Sequence, residues 1–211
     1  MRDTRMMRLI LVRHGETERN SEARLQGRGS DLPLNEKGRN QVQNLGLALK
    51  DEKLEAIYSS PLRRALETAQ AISAHHHLQV HTDHALEEID MGVIDGLDLA
   101  QVKKSQADFW KRWREEDYSV PLPGGESVLQ VRQRAWGAVQ GILGLHREGT
   151  VVVVSHALCL QTVITAILGV PLSIFSRFRL GLASITTFQI DDERTILVCL
   201  NETCHLKNDG Q

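Results

Sequence analysis

The stretch "LILVRHGETERN", Leu9 to Asn20, drives a run of aliphatic residues straight into an arginine and a histidine. A continuous apolar run without polar alternation is the pattern of a strand buried on both faces, as in a parallel sheet covered by helices. A second run of this kind, "TVVVVSHALCL" from Thr150 to Leu160, also ends on a histidine, His156. In open α/β sheets ligands bind beyond the carboxyl ends of the strands. If the two strands are neighbours, His14 and His156 face one crevice. A lone strand-end histidine is more often a hydrogen-bonded structural residue, but two in matching positions point to a site.

The segments between these strands supply the rest of an α/β pattern. In "LNEKGRNQVQNLGLALK" the apolar residues Val42, Leu45 and Leu49 recur at helical spacing, with Asn35 as N-cap. "EAIYSS" is a short strand, and "SSPLRRALETAQAISAHHH" reads as a helix with Ser60 as N-cap and Pro61 in first position. "LQVHT" reads as a third strand. Residues 85–125 have weak periodicity and hold Phe109, Trp110 and Trp113, which suggests a helical cap inserted over the sheet edge, with these aromatics packing the cap and touching the substrate. "PLPGGES" breaks the chain, and Ser127 can cap a long helix to about His146. "LCLQTVITAIL" is an apolar helix ended by Gly169 and Pro171, and "ASITTFQIDDERTILVCLN" is a hairpin turning at Asp191–Asp192–Glu193. Strands alternating with helices imply a single domain over 1–211, a three-layer α/β/α sandwich around a mostly parallel central sheet.

Composition narrows the partners. A net charge of −2 gives no support to nucleic-acid or membrane-surface binding. The charged run "KRWREED" mixes signs, so its tryptophans do not make a nucleic-acid stacking platform. No apolar run reaches membrane-spanning length, and the N-terminal residues lack the apolar core of a signal peptide, so a cytoplasmic location is expected. Three cysteines, Cys159, Cys199 and Cys204, lack the spacing of a disulfide framework and read as small buried hydrophobes. Consecutive histidines at 75–77 point apart on a helix, so they do not form a metal site.

The chemistry converges on an anion. Guanidinium groups bind phosphate oxygens in pairs, and Arg13 adjoins His14 while Arg63 and Arg64 open the helix after "YSSP". One of that pair is expected to point into solvent. "LEEIDMG" adds carboxylates at Glu87 and Glu88, one of which is placed to protonate a leaving alcohol, the choice between them being open from spacing alone.

"RHGET" at 13–17 followed by Asn20, "SSPLRRALETA", the glutamate before "IDMG", and "VVVSH" occur in an order that resembles the histidine phosphatase superfamily, the group containing the cofactor-dependent phosphoglycerate mutases. The resemblance runs from Leu9 to Leu206. It implies that His14 is the nucleophile that becomes phosphohistidine, that Arg13, Arg64 and His156 clamp the phosphate, and that Glu88 is the acid/base. It makes Arg63 the bystander and places Asn20 and Gln26 along the phosphate end of the pocket. The mechanism implied is two in-line phosphoryl transfers with no cofactor and no metal. "PGGES" and the tail "LNETCHL" resemble the phosphatase branch, so a phosphomonoesterase acting on a small phosphorylated metabolite is expected. Mutase-type transfer and a non-catalytic phosphate-sensing module are the alternatives. Ala157 and Leu182 depart from the glycine and asparagine of many relatives. Oligomeric state is not legible, a homodimer being one arrangement.

Overall fold

The structure, a computed structural model, describes residues 6–106, 111, 113 and 117–206. Six strands among these form one sheet: β1 (Met6–Arg13), β2 (Leu54–Ser59), β3 (Val80–Thr82), β4 (Gly149–Ser155), β5 (Ile185–Asp191) and β6 (Thr195–Glu202). Their order is β3-β2-β4-β1-β5-β6. The first four are mutually parallel, while β5 and β6 are antiparallel additions at one edge.

The topology places helices on both faces. The chain leaves β1 toward β2 and β3, then reverses to insert β4 between β2 and β1. Right-handed crossovers taken in opposite directions lie on opposite faces of a sheet. Accordingly α2 (Glu36–Leu49) and α3 (Arg63–Ser73) cover one face, and α5 (Val128–Leu145) and α6 (Ala157–Ile167) the other. The short helices α1 (Glu18–Ser21) and α4 (Leu99–Ser105) lie in the connections. β1 explains its own composition: Leu9 and Leu11 pack with α5 and α6, whereas Ile10 and Val12 pack with α2 and α3. All four are at most 1% exposed, each burial contributing roughly 1.5–3 kcal/mol, so the loop that follows starts from a fixed point.

The caps expected at Asn35 and Ser127 form, the Asn35 side chain accepting from Gly38 N–H at 2.7 Å and the Ser127 hydroxyl from Gln130 N–H at 3.1 Å. Ser60 does not cap α3. The helix begins two residues later than expected, with Leu62 as its N-cap, and the Arg63 N–H is taken by the Asp31 carboxylate at 2.6 Å. Pro61 therefore precedes the helix, and the Ser60 hydroxyl accepts from the Leu62 N–H at 3.3 Å and also meets His156. The third strand is three residues long rather than five. From the 85–125 region, Leu86, Ile89, Ile94, Val102, Tyr118 and Leu122 join the core under α5 and α6. Phe109 and Trp110 lie outside the described residues. Among the described residues, no helix is long and apolar enough to cross a membrane.

Candidate active site

β1 and β4 are hydrogen-bonded neighbours in a register that pairs Arg13 with Ser155. His14 and His156 each follow by one residue, and the His14 N–H donates to Ser155 O at 3.0 Å. Their rings stand 5.1 Å apart, centroid to centroid. Both are buried, at 4% and 0% exposure.

The two imidazoles are held differently. His14 Nδ1 lies 2.7 Å from Gly15 O, which fixes the proton on Nδ1 and leaves Nε2 with no hydrogen-bond partner among the described residues. His156 Nδ1 accepts from Arg64 Nε at 3.2 Å, and its Nε2–H meets Ser60 Oγ at 2.8 Å. Burial, then the charges of Arg64 and Arg13, push the His14 pKa well below the usual histidine range; burial and Arg64 do the same to His156. Both rings are therefore neutral near pH 7, and His14 presents an unprotonated nitrogen.

Arg64 is fully buried, and Arg63 is exposed. Besides His156, Arg64 donates to Ser30 O at 2.7 Å and Gly27 O at 3.2 Å. Burial lowers its pKa to about 10, so the guanidinium keeps its charge, with Glu88 nearby opposing the shift. Arg13 donates to Leu180 O at 2.6 Å, while its buried Nε has no partner. Gln26 is held through Oε1 by the Thr17 hydroxyl at 2.7 Å, and its buried Nε2 is likewise unpaired. An unsatisfied buried donor costs about 1–3 kcal/mol, and the oxygens of an anion would satisfy both of these. Asn20 spends its Oδ1 on the Thr17 N–H, forming the capping box of α1.

The two candidate carboxylates are separated by the fold. Glu87 meets His84 at 2.7 Å near the surface. Glu88 is 5% exposed and accepts from the N–H groups of Ile89, Leu158 and Cys159 at 2.9–3.2 Å. It thus occupies the N-terminus of α6, where His156 is an N-cap residue with no side-chain bond of its own to the helix. The Cys159 thiol is buried beside it, pushed up to about 12 by desolvation, which makes it inert.

The role of Ser60 carries no signal that the sequence alone discloses, whereas the tail motif marks Asn201 and His205 without showing what they hold. Asn201 Oδ1 accepts from Gly181 N–H at 2.5 Å, and His205 Nε2 meets Ala183 O at 3.0 Å. Those bonds brace the loop whose Leu180 O receives Arg13 and whose Ala183 N–H donates to His14 O at 3.0 Å. Leu182 sits in this loop, half-buried. Trp113 packs edge-on against Tyr118 and Phe175 and borders an apolar cavity of about 200 Å³ with Leu25, Ile89 and Leu158. Among the described residues, no group of three or more His, Cys, Asp or Glu side chains is disposed to hold a metal ion.

Comparison with known proteins identifies the family of the chain. Phosphoserine phosphatase 1 of Hydrogenobacter thermophilus is 38% identical over 201 residues, covering 95% of each chain. The probable phosphoglycerate mutase GpmB of Proteus mirabilis is 33% identical over 181 residues, 86% of this chain and 84% of that one. The solved structure of a mutant phosphoserine phosphatase from Entamoeba histolytica, in complex with phosphoserine, superposes with a TM-score of 0.85 at 30% identity, covering 95% of this chain and 99% of that one. A family model matches residues 9–203, and the chain belongs to the histidine phosphatase superfamily, branch 1.

Proposed function

We propose that this protein hydrolyses small phosphomonoesters through a phosphohistidine on His14, without a metal. It is a phosphoric monoester hydrolase. His14 Nε2 attacks phosphorus, the N–P bond forms and the ester P–O bond breaks, and Glu88 gives its proton to the departing oxygen. Water then attacks phosphorus, yielding a proton to Glu88 as the N–P bond breaks. Arg13, Arg64, Gln26 and His156 hold the phosphoryl oxygens, with Ser60 Oγ giving way on His156 Nε2. The Asn20 N–H donates to the Thr17 hydroxyl oxygen in the capping box, and the hydroxyl proton is given to Gln26 Oε1.

The observation that carries this reading is the free Nε2 of a buried, neutral His14 between two guanidinium groups. The arginines supply the charge neutralisation that a metal provides in other phosphoryl-transfer sites. Phosphoserine, phosphoglycerate-type acids, α-ribazole phosphate and small aryl phosphates are the substrate candidates. The similarity to a probable phosphoglycerate mutase supports a second reading, phosphoryl transfer between hydroxyls of one substrate. Hydrolysis of p-nitrophenyl phosphate in excess EDTA tests the first: turnover undiminished by the chelator is expected. Its abolition, restored by a divalent cation, would overturn metal independence, and absence of turnover on any phosphomonoester would favour a binding module.

A further inference from the structure

Residues 87–90 have no regular secondary structure, yet they carry Glu88. A proton donor on an irregular loop must be fixed by something other than a helix or strand ladder. Here every carbonyl from 85 to 90 has a partner. Arg134 donates to the carbonyls of Ala85, Glu87 and Glu88 at 2.8, 2.8 and 3.0 Å. Ser155 Oγ–H takes Leu86 O at 2.6 Å, and the N–H groups of Arg28 and Glu126 take Ile89 O and Asp90 O.

Arg134 is itself locked. Its Nε and a second N–H form a paired bond to the Glu126 carboxylate at 2.9 and 3.0 Å, so all five donors are in use. The same carboxylate accepts from Asp90 N–H at 2.9 Å. Burial alone would raise the Glu126 pKa, but Arg134 and the Asp90 N–H outweigh it and hold the carboxyl ionised. Gly125 completes the fit, because any Cβ there would collide with Asp90 O. The "PGGES" element and the second turn of α5 thus grip the main chain on both sides of Glu88.

We propose that Arg134, locked by Glu126, is a positioning residue that fixes Glu88 for proton transfer to the leaving group. This rests on the acid role given to Glu88 above. Arg134 makes no hydrogen bond to the phosphate-holding side chains or to the Glu88 carboxyl, which feel only its charge. Besides Glu126 it bonds the carbonyls that set where that carboxyl stands, and a lysine would keep the charge. Lysine cannot reproduce five donors in a fixed fork, so Arg134→Lys is expected to loosen the loop.

The test compares kcat/KM for p-nitrophenyl phosphate, whose leaving group needs little protonation, with phenyl phosphate, whose leaving group needs much. Arg134→Lys is expected to lower the value for phenyl phosphate roughly 30-fold or more and that for p-nitrophenyl phosphate under about fivefold. Glu126→Gln should move both in the same sense, less far. The ratio of the two esters is independent of how much of a preparation is folded. Glu88→Gln should give the same contrast, and Arg134→Lys added to it no further contrast. Equal loss on both esters in Arg134→Lys, with the contrast intact in Glu88→Gln, would overturn the positioning role alone. A Glu88→Gln variant without contrast would overturn both the acid assignment and the clamp built on it.

Discussion

At His14, the proposed nucleophile, the tautomer decides which nitrogen could attack, because the bond from Nδ1 to Gly15 O leaves only Nε2. Burial, reinforced by the charges of Arg64 and Arg13, keeps that nitrogen unprotonated, and an anion would in turn stabilise the arginines. Arg63 and Arg64 separate these effects. Both are cationic and adjacent, but only Arg64 is buried against His156, Ser30 and Gly27. Arg64→Ala is expected to lower kcat/KM on the order of a hundredfold, by loss of a charged clamp. Arg63→Ala should stay within about twofold, as a surface change away from the pocket. Steady-state kinetics on one aryl phosphate checks both.

Among the elements, β1 and α2 are coupled through glycines. Gly38 in the first turn of α2 lies against the Glu16 main chain, and an added Cβ would collide with Glu16 O. Gly15 is similarly confined, its would-be Cβ 2.8 Å from Val42 Cγ1. Gly38→Ala is therefore expected to destabilise the protein by about 1–3 kcal/mol, through displacement of the helix or the loop, read as a lower denaturant midpoint. These couplings mark what a sequence can disclose. The apolar runs of β1 and β4 are legible because both faces are buried, and the caps at Asn35 and Ser127 because capping is local. The start of α3 lies later than its sequence suggests because its N-terminal N–H is satisfied by Asp31, thirty-two residues away. The roles of Arg134 and Ser60 are hidden for the same reason: their partners come from other segments, and nothing in their immediate neighbours signals it.

Across the whole molecule, the two buried histidines link stability to pH. Each has a folded pKa depressed below its unfolded value, near 6.5, so the unfolded chain binds protons more readily. Their contribution is fully present above about pH 6.5 and is lost as pH falls below it toward the folded values. The melting temperature should drop between about pH 7 and pH 5, and His14→Gln should flatten that dependence by removing one of the two groups. An unchanged slope in the variant would contradict it. The same burial accounts for the site as a whole: two layers of helices seal the sheet, and its polar groups are left at the strand ends.

The most direct measurement is acid-sensitive, alkali-stable phosphoryl trapping during turnover. Protein quenched within the first turnover of a phosphomonoester and digested under alkaline conditions should carry the phosphoryl group on the peptide containing His14, and His14→Ala should carry none. Label on any other residue, or full turnover by His14→Ala, would contradict a nucleophile at the end of β1.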